Sequence, residues 1–185
     1  MGTLETKKAK KNYGMFVASV VVLLCTLLMV SAIFMPYSTA ANNMATTIKN
    51  NPNSVVYAEL NMTAKDLSNI SMVQYARIYT TYSKDFFGNR FQGIYYVVFV
   101  TLIGGFSLLT AVFCLLKKPL AVIIFDVLAF GVFCLQNWDF TNRGIIPTRS
   151  YEWGSGYYIF FAAVFVVLIA ATWQLVSKSE TPKKA

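Results

Sequence analysis

Residues 94–135 read IYYVVFVTLIGGFSLLTAVFCLL, KK, PLAVIIFDVLAFGVFCL: two apolar runs, Ile94–Leu116 and Pro119–Leu135, parted by Lys117 and Lys118 alone. A bilayer core about 30 Å thick takes about 20 apolar residues as a helix, so each run is long enough, or nearly so, to cross it. The runs do not alternate in polarity, which argues against a barrel, and backbone groups in lipid must then be satisfied within helices. A link of two lysines leaves no room for anything but an antiparallel hairpin. Pro119 suits the first turn of a helix, where its missing N–H costs nothing.

Outward from the hairpin, two more runs follow the same pattern, Met15–Phe34 and Tyr157–Val176, neither with a charge. The expected spans are 15–35, 94–116, 119–137 and 157–176. The whole chain of 185 residues is 56% hydrophobic and only 13% charged, about half the usual charged share. That excludes a disordered chain and a nucleic-acid-binding domain, and it makes the lipid bilayer the first partner of the +8 net charge.

The basic residues give a direction. Nine of them (Lys7, Lys8, Lys10, Lys11, Lys117, Lys118, Lys178, Lys183 and Lys184) fall in the 25 positions of 1–14, 117–118 and 177–185. Seven (Lys49, Lys65, Arg77, Lys84, Arg90, Arg143 and Arg149) fall in the 77 positions of 36–93 and 138–156. By the positive-inside bias, both termini are expected in the cytoplasm. Four lysines in 7–11 also attract anionic lipid, although setting the topology accounts for them more simply. Tyr37, Tyr95, Tyr96, Trp138, Trp153, Tyr157 and Tyr158 flank the outer ends, with Tyr13 and Trp173 near the inner ones, and are expected to anchor at the headgroups. Lys7–Lys11, an apolar run and Ser38-Thr39-Ala40-Ala41 also match the plan of a secretory signal. The run exceeds a usual signal core, so an uncleaved anchor is expected.

Small residues recur every seventh position: Ala18, Cys25 and Ala32; Gly104 and Ala111, beside Ser107 and Cys114; Gly156, Ala163 and Ala170. That period predicts seams along which helices of a left-handed bundle approach closely.

Residues 36–93 form the large outer segment. Ser38–Asn53 reads as loose, Asn51–Ser54 as a turn and Val55–Leu60 as a short strand. Thr63, with Asp66 three residues on, predicts a helix start, and a helical pattern runs from Ala64 to about Phe87, stopped by Gly88-Asn89. Asp66, Arg77, Thr80 and Lys84 share one face; Tyr75, Tyr79 and Tyr82 fall at i, i+4 and i+7 on the other. This stripe is either a partner- or glycan-binding face or a side packed inward, and inward packing is the simpler reading. Residues 138–156 are expected to complete the same cap. Asn61 and Asn69 head glycosylation patterns. A cysteine-free exterior rich in Lys and Asn favours a bacterial plasma membrane, where such patterns are silent. The long first outer loop, short second one and cytoplasmic termini resemble claudin-type four-span proteins in outline. Residues 36–93 hold neither Trp nor Cys, where that family carries a Trp and paired-Cys signature, so the resemblance implies nothing further.

Asp126 is the sharpest candidate for chemistry. It lies near mid-span, level with Thr26 and Ser107, and a carboxylate there must face the bundle interior, a water pocket or a partner. It could relay a proton or cation, hydrogen-bond Thr26 or Ser107 as a neutral acid, or pair with a basic residue of another protein. The chain has no His, so Ser–His and Cys–His nucleophiles are impossible. Cys25, Cys114 and Cys134 all lie in spans and no C-x-x-C occurs; neither metal nor cofactor is expected. The expectation is an all-α membrane protein, a four-transmembrane-helix bundle with a partly helical extracytoplasmic cap. Its expected role is non-enzymatic interaction or accessory work with a membrane-protein partner or a second copy of itself. The alternative is a small oligomeric transporter or channel subunit using Asp126.

Overall fold

A computed structural model describes residues 2–89 and 91–179. Arg90, Lys183 and Lys184 of the charge count fall outside them, as do the side chains of Lys7, Lys8, Lys10 and Lys11. The chain is mostly helical, 73%. Its long helices are α1 (Gly2–Ala32), α5 (Ile94–Leu115), α6 (Pro119–Asn142) and α7 (Ser155–Ser179). Between α1 and α5 come β1 (Pro36–Ala40), α2 (Asn42–Asn50), β2 (Val55–Tyr57), β3 (Met62–Thr63), β4 (Asn69–Ser71), α3 (Met72–Thr81) and α4 (Ser83–Phe87); β5 (Tyr151–Trp153) precedes α7. Among the described residues, four helices are long and apolar enough to cross a membrane: Tyr13–Ala32, Ile94–Leu115, Pro119–Asn142 and Ser155–Lys178. By length and composition the chain is therefore a multi-pass membrane protein.

The bundle closes as a ring, α1 beside α5 and α7, and α6 beside α5 and α7. Along α6 the buried residues are Pro119, Val122, Asp126, Ala129, Phe133, Gln136 and Phe140. Their steps alternate three and four, the signature of a heptad seam facing neighbouring helices. Of the small residues expected on seams, Ala18, Ala32, Ser107, Cys114, Gly156 and Ala163 are buried, while Cys25, Gly104, Ala111 and Ala170 are half-buried. A close approach joins α1 to α7: a Cβ on Gly156 would lie 2.7 Å from the Ala32 carbonyl oxygen. The turn between α5 and α6 is as short as its sequence requires, with Lys117 in the left-handed region (φ 56°) and Pro119 in the first helical turn.

At one end of the ring, both connecting segments merge into a single layer. β1 pairs antiparallel with β4 on one side and with β5 on the other, giving the order β4-β1-β5, and β2 pairs with β3. The chain is thus not all-α. Strands of two to five residues carry too little alternation to be read from sequence, and Ser38–Asn53, expected to be loose, supplies both β1 and α2. Of the strand expected over Val55–Leu60, Val55–Tyr57 forms, while Ala58–Leu60 closes into a 3₁₀ turn.

The helix expected over 64–87 is broken. Thr63 and Asp66 keep half of a capping motif, since the Thr63 amide and hydroxyl both donate to Asp66 Oδ2 at 2.8 Å. They close only a 3₁₀ turn, Lys65–Ser68. The full capping box sits later, where the Ser71 hydroxyl accepts from the Gln74 amide (3.2 Å) and the Gln74 side chain accepts from the Ser71 amide (2.8 Å). Helix α3 starts there because two otherwise orphaned donors are satisfied reciprocally.

Aromatic rings rivet this layer to the bundle. Tyr37 of β1 is wholly buried. It meets Tyr75, Phe133, Phe140, Trp153 and Tyr157 at centroid distances of 5.4–6.3 Å. Tyr96 is 2% exposed and stacks on Tyr79 at 4.6 Å. Tyr37, Tyr96, Trp153 and Tyr157 are therefore joints between layer and bundle rather than headgroup anchors. Tyr13, Tyr95, Trp138, Tyr158 and Trp173 remain exposed, as anchoring requires.

Candidate functional site

Two places hold the residues singled out above. The first is the bundle interior. Asp126 has no exposed surface, and neither carboxylate oxygen has a hydrogen-bond partner. A hydrogen bond to Thr26 or Ser107, one of the three alternatives for Asp126, is not made. The Thr26 hydroxyl donates to its own helix at the Leu23 carbonyl (2.9 Å), and the Ser107 hydroxyl to Ile103 (2.8 Å). Thr110, one turn along the buried face of α5, does the same to Phe106 at 2.9 Å. All three are at most 1% exposed. Burial of Asp126 on the inward seam removes it from the lateral surface, where a basic residue of another protein would have to reach it.

Gln136 was not singled out from sequence, yet it too is fully buried, with both side-chain polar atoms unpartnered. An uncharged polar residue just past an apolar run attracts no notice. Its signal is positional, since it continues the three-four steps from Asp126 through Ala129 and Phe133. Among the described residues, Asp126 and Gln136 hold the fully buried side-chain oxygen and nitrogen atoms that lack a partner. Gln174 Nε2 donates to Ser19 Oγ at 3.0 Å near the far end of the bundle. At the layered end, Tyr96 donates to Asp139 Oδ2 at 2.7 Å and Arg143 to Asp139 Oδ1 at 2.8 Å.

The second place is a cleft of about 650 Å³ in the layer, between α3, β2 and the segment 144–151. Tyr75 and Tyr79 line it with Tyr57, Tyr151, Met44 and Arg149. Tyr82, the third member of the stripe, does not. Helix α3 ends at Thr81, and Tyr82 turns to pack on Tyr57 at 5.1 Å and to accept from the Glu59 amide at 3.1 Å. Tyr75 and Tyr79 are only 5% and 9% exposed, so they form the cleft's floor and not an open face. The Tyr75 hydroxyl shares a 2.8 Å bond with Ser38, and Tyr151 donates to the Leu67 carbonyl at 3.1 Å. Burial raises the phenols of Tyr57, Tyr75 and Tyr79 above their ordinary range and pushes Tyr151 up to about 12. All four are neutral hydrogen-bonding groups at neutral pH. Val56 and Arg149 are exposed at the cleft.

Among the described residues, no three His, Cys, Asp or Glu side chains cluster as metal ligands, and the three cysteines are free. No protein-family model, curated protein or solved structure matches the chain. Its function must be argued from these two places.

Proposed function

We propose that this chain is a non-enzymatic integral membrane protein of the interaction or accessory kind. It lies in the plasma membrane, a bacterial one by composition, with both termini cytoplasmic and the layer of residues 36–93 and 138–156 outside. The observation that carries this reading is the tyrosine-floored cleft. Its volume lies within the range of binding sites, and it sets the rings of Tyr75 and Tyr79 as a floor beneath the exposed, charged Arg149. A segment of a membrane-protein partner, or of a second copy, would enter it. Charge density supports the orientation through the positive-inside bias.

The test is photo-crosslinking in intact cells from an amino acid placed at Val56, at the cleft. A discrete adduct is expected, and Arg149→Glu should reduce it about tenfold without lowering protein yield. Uniform labelling of lipid and bystanders, unchanged by Arg149→Glu, would remove the basis for the reading.

A second reading, a small oligomeric transporter or channel subunit, is favoured by the two unpartnered oxygens of Asp126. Four spans are few for a monomeric transporter, so this role requires several copies. Flux in reconstituted vesicles that disappears with Asp126→Asn would select it.

A further inference from the structure

We propose that the bundle interior binds a monovalent metal cation at Asp126, with hydroxyl oxygens of Thr26, Ser107 and Thr110 as the neutral part of the site. The argument is one of donors and acceptors. A hydroxyl has one proton and two lone pairs. Each of these three spends its proton on a backbone carbonyl of its own helix, and a carbonyl can only accept. What remains for the interior is lone pairs alone.

Geometry brings these oxygens to one level. Asp126 lies eight residues beyond Lys118, and Leu109 eight before Lys117. Across a tight hairpin, that places Asp126 level with the interval between Ser107 and Thr110, about 12 Å from the turn. Helix α1 runs antiparallel to α5, and the Cys114 thiol meets the Ser19 carbonyl at 3.5 Å, so Thr26, seven residues beyond Ser19, comes level with Ser107, seven before Cys114. The interior thus offers a carboxylate and three hydroxyl oxygens from three helices, all acceptors, with Ala129 one turn away on the same seam as a small neighbour. Of these oxygens the two of Asp126 are buried with no partner, and an ionised carboxylate left so is costly.

With the carboxyl ionised, a positive charge without directional donors complements such a set. One carboxylate matches one unit charge. A divalent ion prefers several carboxylates, and the described residues offer no acidic cluster. A basic side chain from outside is barred by burial. Hard oxygen ligands select an alkali ion over softer metals. The site does not depend on the cleft, and it specifies the ligand that the second reading needs.

The experiment uses the full chain in nanodiscs of neutral lipid. Radioactive sodium binding is measured by scintillation proximity, with unlabelled sodium, lithium or potassium chloride as competitor. Thermal unfolding is followed in each salt against N-methylglucamine chloride at equal ionic strength. Expected are saturable binding and, at a hundred times the half-saturating concentration, a rise in Tm of about 5 °C. Asp126→Asn should abolish both. Ser107→Ala and Thr110→Val keep the charge and should weaken binding about tenfold or more, which keeps the test decisive if Asp126→Asn does not fold. No saturable binding with no salt-specific Tm would overturn the proposal, as would binding that survives Asp126→Asn or is unmoved by both hydroxyl deletions. Crosslinking from Val56 should be unaffected by Asp126→Asn, so the two readings fail separately.

Discussion

The Tyr37 hydroxyl donates to Oδ1 of Asn137, joining the first residues of the layer to the end of α6 across 100 positions of sequence. The ring of Tyr37 is wholly buried among five others. Tyr37→Phe keeps the ring and should cost about 1 kcal/mol, the net worth of a hydrogen bond. Tyr37→Ala empties the joint and should cost about 3–5 kcal/mol. Equilibrium unfolding of purified protein checks both. Equal losses for the two variants would mean the ring cluster does not hold the layer down.

Gln136 should behave in the opposite way. Its amide is buried with no partner, and an unsatisfied buried group costs about 1–3 kcal/mol. Gln136→Met keeps shape and volume while removing that group, so stability should be unchanged or rise by about 1 kcal/mol, read as a Tm shift of about 2–4 °C. A clear loss of stability would show that Gln136 has a partner in the folded protein.

Two glycines in the spans should respond differently. Gly156 faces the Ala32 carbonyl at 2.7 Å from where a Cβ would stand, whereas nothing lies within 4 Å of a Cβ on Gly105. Gly156→Val should cost about 1–3 kcal/mol by forcing α1 and α7 apart. Gly105→Ala should be neutral or stabilise by up to about 1 kcal/mol. Thermal unfolding of the two variants side by side measures the difference, and a similar loss in both would count against the α1–α7 seam.

Asp66 gives a small acid-dependent contribution. The Thr63 amide, then its hydroxyl, hold the Asp66 carboxyl below its ordinary range. A depressed folded-state pKa means the contribution is present above the unfolded value of about 3.9. It is lost as pH falls through the folded value. Hydrogen exchange at the Thr63 amide should therefore lose protection only in acid. Asp66→Asn should remove the step, and a step that remains in the variant must come from another group.

The four spans were legible because long uncharged apolar runs have few other outcomes, and Lys117, Lys118 and Pro119 fix the turn between two of them. Their ends at the layer were less so. Helix α6 continues past residue 137 to Asn142 because Asn137 and Asp139 find partners in Tyr37 and Tyr96, and those partners come from other parts of the chain. The layer was least legible. Asn69-Ile70-Ser71 fits a helical pattern but pairs with β1, and Tyr37 looks like a headgroup anchor until the rings that surround it are known. Asp126 stood out as a charge in an apolar run, yet the fate of the hydroxyls around it depended on backbone carbonyls that no sequence pattern displays. Gln136 was hidden by its neutrality.

The central claim is that four helices cross the bilayer with the layered end outside and the Lys117-Lys118 turn inside. Single cysteines introduced as Ser54→Cys, Lys118→Cys and Ser179→Cys, in a background with Cys25, Cys114 and Cys134 replaced, test it with an impermeant thiol reagent on intact cells. Ser54→Cys should label at once, and Lys118→Cys and Ser179→Cys only after permeabilisation. Labelling of Lys118→Cys in intact cells, or protection of Ser54→Cys there, would contradict the account.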